Sequence, residues 1–233
     1  VAIFVIAFST TLSESTPEPL PERAALLIAP SGPLVEDSPP VDALSAFLNQ
    51  DYDQPALLND VVRSIRWAAT DERITALVFD LENLVGPSTS QTLEISSAIE
   101  VFRESGKPVI AAGDFYSQAH YLLASQADQI LLHPEGGMFL EGFSVYRSYL
   151  RSFLEKTRVT MHVFRAGDNK SAVEPYLRDD MSDGEREVVS RWLEGLWGAY
   201  TEMVESGRQL PAGTMDQFIA SRTAQRAASR HQL

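Results

Sequence analysis

A single lysine, Lys170, stands in the polar segment Arg165-Ala166-Gly167-Asp168-Asn169-Lys170-Ser171-Ala172-Val173-Glu174-Pro175. An apolar run, Val159 to Phe164, leads into it. A lysine amine serves as a general base only when its surroundings bring its pKa down toward neutrality, and desolvation at a strand end in a packed α/β domain can do that. Asp168 works in the opposite sense, because a neighbouring carboxylate favours the ammonium form. The other reactive side chains are less organised. Glu174, Asp179, Asp180, Asp183, Glu185 and Glu187 lie close in sequence, but Asp183 and Glu185 suit a helix start. The remainder suit solvated positions or pairing with Arg178 and Arg186. His120, His133, His162 and His231 lack ligand spacing. No glycine-rich phosphate loop follows a strand at nucleotide-binding spacing. The residues therefore call for no metal and no cofactor, and Trp192 and Trp197 are read as core or subunit-interface residues rather than part of a cofactor site.

Positioning that lysine is the task of an alternating series of elements. Ala24 to Pro30 reads as a first buried strand, and Ser31 to Gln54 as a proline-containing loop region with a short apolar segment at Leu44, Phe47 and Leu48. From Leu57 to Ala69 the apolar residues Leu58, Val61, Val62, Ile65 and Ala69 recur at helical spacing, with Asn59 as candidate cap. Ile74 to Leu81 has the continuous apolar character of a parallel strand covered on both faces. Ser88-Thr89-Ser90-Gln91 fits a capping box for a helix bearing Leu93, Ile95, Ile99 and Phe102, which Gly106 and Pro108 stop. Then come a strand at Val109–Gly113, a helix from Ser117 to Ala127, a strand at Ile130–Leu132 and a glycine turn at Gly136-Gly137. A helix over Tyr146–Thr157 and a strand over Val159–Phe164 deliver the chain to Lys170. Ser182-Asp183-Gly184-Glu185 reads as another capping box, opening a long helix that runs through Trp192, Trp197, Tyr200 and Val204 until Gly207 and Pro211 end it. Strands and helices alternating at this length imply parallel βαβ units and an α/β fold.

The chain has 233 residues, a net charge of −13 and no cysteine. That length suits one large domain. The acidic balance, with no basic stripe, argues against nucleic acid. Lack of cysteine removes disulfides, thiolate catalysis and cysteine-bound metals. Val1-Ala2-Ile3-Phe4-Val5-Ile6-Ala7-Phe8 is wholly apolar; a bilayer takes roughly 20 such residues, so residues 1–8 read as the end of a transmembrane or signal-anchor helix, with a buried strand as the other reading. Residues 9–23 read as a proline-rich linker, 24–211 as the domain and 212–233 as an atypical tail, with no acid after Asp216 and with Arg222, Arg226 and Arg230 four apart. The tail suggests a fragment or a chain that ends prematurely.

Two stretches are similar to the signal peptide peptidase A (protease IV) family, peptidase family S49, in its long double-domain form. One runs from Phe164 through K-S-A-V-E-P at 170–175 and R-D-D-M-S at 178–182; the other is Gly113-Asp114-Phe115-Tyr116-Ser117-Gln118-Ala119-His120-Tyr121-Leu122-Leu123-Ala124-Ser125 with Ala127-Asp128. The similarity extends from about Ala24 to about Pro211 and matches the amino-terminal domain. It implies a ClpP/crotonase-like spiral of βαβ units with a largely parallel sheet, anchored at the bacterial inner membrane and facing the periplasm. It also implies a homotetramer that degrades signal peptides or other extended apolar peptides. Catalysis in that family pairs a serine nucleophile with a lysine base, and in the long form the amino-terminal domain brings the lysine while the carboxy-terminal domain brings the serine. Lys170 occupies the lysine position, so this chain alone is expected to be inactive. Ser117 stands where short-form relatives carry their nucleophile, but Gln118-Ala119-His120 follows it in place of their glycines, and Asn169 replaces an aromatic residue often found before the lysine. A helix-opening role for Ser117 is the plainer reading. A non-catalytic scaffold or peptide-binding domain with the same fold is the alternative, and a crotonase-like acyl-CoA enzyme sharing only the fold is a more distant one.

Overall fold

The computed structural model describes residues 22–37, 55–164 and 171–221. Thus residues 1–8, most of the 9–23 linker, the apolar segment at Leu44 to Leu48, the segment 165–170 with Lys170, and the tail from Arg222 onward lie outside the described residues. Among those described, no helix is long and apolar enough to cross a membrane.

Four parallel strands form the main sheet: β1 (Ala24–Ile28), β4 (Ile74–Asp80), β6 (Val109–Tyr116) and β7 (Gln129–Met138), adjacent in that order. A second parallel sheet has the order β3-β2-β5, from β2 (Gly32–Val35), β3 (Ala56–Leu57) and β5 (Leu84–Val85). Neither β2, β3 nor β5 was expected, because pieces this short carry no periodicity of their own. The connections are α1 (Leu58–Thr70), α2 (Thr89–Glu104) and α3 (Gln118–Ala124), so the α/β class with parallel strands holds.

The helices form for the reasons their sequences give. In α1, Leu58, Val61, Val62, Ile65, Ala68 and Ala69 are buried, a continuous stripe at helical period. Its N-cap position falls on Leu57, which makes no side-chain cap bond, so Asn59 lies inside the first turn and is not the cap. Its C-terminus has no basic residue in the last turn; Lys107, from the loop before β6, supplies the charge. The Lys107 ammonium donates to the carbonyls of Ala68 (2.8 Å), Ala69 (3.0 Å) and Asp71 (2.8 Å), where the helix dipole favours a cation. In α2 the expected capping box is complete: Ser88 Oγ accepts from the Gln91 amide and Gln91 Oε1 accepts from the Ser88 amide.

The main core joins α1 and α2 to the sheet through Ile65, Leu77, Phe79, Ile95, Ile99, Phe102 and Val109, all nearly fully buried. Beyond β7, α4 (Arg151–Lys156), a 3-10 turn at Ser171–Val173, and α5 (Glu174–Leu177) bury none of their residues. The long α6 (Asp183–Gly207) follows, and residues 214–221 are helical. Its carboxy-terminal half docks on α3 through a smaller core of Leu122, Tyr200, Val204 and Met215. Close approach there needs a glycine, since a Cβ on Gly207 would lie 2.6 Å from the Ser125 carbonyl oxygen.

Three expectations need correction. The strand at Ile130–Leu132 runs on to Met138, and Gly136-Gly137 sits inside the ladder rather than in a turn. Between the pairs Gly113↔Leu132 and Phe115↔Gly137, only Asp114 opposes residues 133–136, so β7 bulges, and a Cβ on Gly136 would collide with the Asp114 carbonyl. The helix over Tyr146–Thr157 contracts to Arg151–Lys156; the Leu150 amide instead donates to the Pro175 carbonyl at 2.7 Å. Val159–Phe164 forms no strand. An apolar run becomes a strand only by pairing, and this one pairs with no described strand: Phe164 is 95% exposed and Val159 and Met161 are about half exposed.

Candidate active site

In open α/β sheets ligands gather at the carboxyl ends of the strands, and Ser117 stands there, between the end of β6 and the start of α3. Its backbone is extended (φ −67°, ψ 168°) and its Oγ accepts from the His120 amide at 3.2 Å, the geometry of an N-cap. The next residues are all engaged. Gln118 Oε1 accepts from the Glu141 amide (3.2 Å) and the Gly142 amide (2.8 Å), while its Nε2 donates to the Gly142 carbonyl (3.3 Å). The His120 ring donates from Nε2 to the Leu84 carbonyl at 2.7 Å, which directs it to β5 rather than to Ser117. Ala119 abuts the loop after β5 so tightly that a Cβ on Gly86 would lie 2.8 Å from the Ala119 Cβ.

This constellation holds loops in place. Where short-form relatives are expected to leave glycine backbone open, Gln118 ties the 139–143 segment to α3. Among the described residues, no side-chain base makes a hydrogen bond to the Ser117 hydroxyl. Tyr116, beside it, is buried, donates to the Leu131 carbonyl at 3.1 Å, and has its phenol pushed up to about 12, chiefly by burial and then by the charge of Asp80. It stays protonated at neutral pH and serves as a structural donor. The sequence reading identified neither Gln118 as a clamp nor Tyr116 as a buried donor; the only advance signal was the absence of glycine after Ser117.

Lys170, Asn169 and Asp168 lie outside the described residues, but the segment that receives the chain after Lys170 is well defined. Glu174, at the first position of α5, accepts from Ser182 through both oxygens: Oε1 from the hydroxyl at 2.5 Å, Oε2 from the amide at 3.2 Å. The Ser182 hydroxyl bond holds the Glu174 carboxyl below its ordinary value, with the Ser182 amide and the charges of Arg178 and Arg147 acting in the same sense. Asp179 is likewise lowered, by the Ser152 amide at 2.8 Å first of all. Arg178 pairs with Asp180 at 3.0 Å, as the sequence suggested, whereas Glu174 pairs with Ser182 rather than resting in solvent or on arginine. The second expected capping box is only half formed. Ser182 Oγ accepts from the Glu185 amide, but the Glu185 carboxylate faces Arg147 at 3.1 Å, and Glu174 takes its place on the Ser182 amide.

Between α4, residues 158–161 and α5 lies an open groove of about 370 Å³, lined in part by Leu154, Arg158, Val159, Met161, Tyr176 and Leu177. Among the described residues no three His, Asp or Glu side chains gather as a metal site. Trp197 stacks on Tyr200 with ring centroids 5.4 Å apart and donates to Asp216 at 2.7 Å, while Trp192 is 57% exposed.

The chain is 43% identical over 194 residues to "Protease 4" of Salmonella typhi, covering 81% of this chain and 31% of that protein. It is 37% identical over 212 residues to "Protease 4" of Haemophilus influenzae, covering 89% of this chain and 34% of that one. A more distant relative, at 25% identity over 178 residues, is "Serine protease SPPA, chloroplastic" of Arabidopsis thaliana, with 76% of this chain and 26% of that protein covered. The chain thus spans about a third of the length of the bacterial relatives. Among solved structures, an enoyl-CoA hydratase/isomerase family protein from Silicibacter pomeroyi aligns over 70% of this chain and 82% of its own, at 15% identity and a TM-score of 0.25, too remote to bear on the site. The model of Peptidase family S49 matches residues 101–230, more than half of the 233 residues and spanning both Ser117 and Lys170, and the chain belongs to that family.

Proposed function

We propose that this chain is the lysine-donating amino-terminal half of a Ser-Lys dyad endopeptidase that degrades cleaved signal peptides. The observation that carries the reading is the state of Ser117. Its hydroxyl caps α3, and the side chain of Gln118 behind it holds the amides of Glu141 and Gly142, where short-form relatives are expected to carry glycines. The family's own-domain nucleophile position is thereby spent on structure, while the K-S-A-V-E-P segment at 170–175 is intact. The nucleophile then comes from the part of the protein beyond this chain, consistent with a chain spanning about a third of its relatives.

In this reading the neutral Lys170 amine takes the proton from the serine hydroxyl as oxygen attacks the scissile carbonyl. It returns that proton to the leaving amine, and in the second half it activates the water that releases the acyl group. Substrate is an extended apolar peptide. The protein is anchored in the bacterial inner membrane with this domain on the periplasmic face, assembles as a homotetramer, and this chain alone hydrolyses nothing. The test is Lys170→Ala in the complete protein. Cleavage of an apolar reporter peptide is expected to vanish while the oligomer, followed by sedimentation, stays intact; retained cleavage refutes the lysine's role.

A further inference from the structure

The turn that ends α4 forms one wall of the open groove. There the Val159 amide donates to the Leu154 carbonyl at 2.9 Å and the Arg158 amide to the Glu155 carbonyl at 3.1 Å, with Arg158 left-handed at φ 55°. This is the Schellman pattern, whose left-handed position usually falls to glycine because a Cβ strains it. Gln209 closes α6 with the same pair of bonds, so the turn alone assigns nothing. The surroundings of Arg158 do. It lines the groove of about 370 Å³ together with Leu154, Val159, Met161, Tyr176 and Leu177. That apolar wall is not filled by the chain itself: Val159 is 49% exposed, and Met161 and Tyr176 are each 42% exposed. Two other charged residues line it, Arg151 and Glu155, and they pair with each other at 2.9 Å. Among the described residues the Arg158 side chain has neither an ion pair nor a hydrogen bond, and the backbone of Thr160 and Met161 has no hydrogen bond. An apolar groove with one uncompensated cation is thus set in a chain of net charge −13.

We infer that this groove holds the carboxyl end of an extended apolar peptide, with Arg158 pairing to the terminal carboxylate. Charge complementarity selects the occupant. The guanidinium fork matches a carboxylate in shape and charge, the apolar side chains beside it take the last side chains of the peptide, and the main-chain groups of Thr160 and Met161 are open to its backbone in the manner of strand addition. The inference rests on the proposed function for the source of that peptide. Hydrolysis that frees a signal peptide leaves a new carboxylate at its end, whereas the same sequence still joined to a secreted protein has none there. Arg158 therefore distinguishes a released signal peptide from an intact precursor.

The experiment uses the complete protein and a short leucine-alanine peptide with an amino-terminal fluorophore, made as the carboxyl-terminal acid, as the amide, and as an amide with an internal aspartate. Binding is read by fluorescence anisotropy in Lys170→Ala and kcat/KM in the parent protein, so the ratio of acid to amide is obtained whether or not Lys170 is the base. The acid should be preferred by about 5-fold. That preference should fall to about 1 in Arg158→Gln and at high salt, survive in part in Arg158→Lys and reverse in Arg158→Glu. Arg158→Gly controls for structure: glycine suits the left-handed position, so the Tm should not fall while the preference is lost. Met161→Glu should weaken the acid more than the amide, which places the carboxylate in this groove. Equal binding of acid and amide by the parent protein, a preference unchanged in Arg158→Gln, or an internal aspartate bound as well as the terminal acid overturns this inference and leaves the dyad reading standing. Cleavage retained in Lys170→Ala overturns the lysine assignment alone, since the acid preference is still measured.

Discussion

Replacing Ser117 separates a helix cap from a nucleophile, because the two roles rank the same substitutions differently. As a cap, Ser117 contributes one bond, from the His120 amide at 3.2 Å, to a helix of seven residues that packs Leu122, Leu123 and Ala124 into the cores. Losing a serine cap to alanine costs about 1 kcal/mol, whereas asparagine caps as well as serine and glycine is only a few tenths worse. At roughly 2–4 °C per kcal/mol for a domain of this size, Ser117→Ala should lower the Tm of this chain by a few degrees, Ser117→Gly by less, and Ser117→Asn hardly at all. In the complete protein all three should keep kcat/KM within about 2-fold, since the hydroxyl forms no bond of the reaction. The assay is thermal unfolding by circular dichroism beside hydrolysis of a reporter peptide. A nucleophile behaves oppositely: every substitution abolishes turnover, asparagine included, whatever the stability. Loss of activity in Ser117→Asn with an unchanged Tm would refute the cap reading.

Two further predictions concern the frame around the site. Lys107→Met keeps the side-chain length but removes the donors that close α1; hydrogen bonds to a charged group are worth about 1.5–3 kcal/mol, so the unfolding free energy should fall by about 2 kcal/mol, seen as a lower urea midpoint at constant m, with Lys107→Arg recovering part of it. An unchanged midpoint would show that water replaces the ammonium without cost. The acid response follows from Glu174 and Asp179, both held below their ordinary values of 4.5 and 3.8. A carboxyl depressed in the folded state contributes stability that is complete above its unfolded value and fades as pH falls through its folded one. The junction of α4, α5 and α6 should therefore be intact at neutral pH and loosen only as pH falls below the ordinary values of these two carboxyls. The amide proton shifts of Ser152 and Ser182 report this, and midpoints above 4.5 for Ser182 or above 3.8 for Ser152 would contradict it.

The elements best read from sequence were those whose own residues contain the instruction. The stripe of α1, the capping box of α2, the apolar run of β4 and the cap at Ser182 are local patterns, and each appears where its pattern lies. What was not legible depends on partners distant in the chain. Lys107 closes a helix 36 to 39 residues away, and Glu174 replaces Glu185 on Ser182 only because Arg147 draws Glu185 aside. The glycines at 136 and 137 signalled a backbone constraint, but whether it is a turn or a bulge depends on which residue of β6 lies opposite. Val159–Phe164 has the composition of a strand without a described strand to pair with. At the site, the motif placed Lys170 in the family's pattern, whereas the clamp made by Gln118 needed the 139–143 segment folded back on α3 before it could be seen.

The most direct test of a lysine here and a serine elsewhere is covalent labelling of the complete protein with a serine-directed fluorophosphonate, followed by mass-spectrometric mapping. The account predicts a single modified serine outside these 233 residues, with labelling lost in Lys170→Ala and kept in Ser117→Ala. Phosphonylation of Ser117, or undiminished labelling without Lys170, would contradict it.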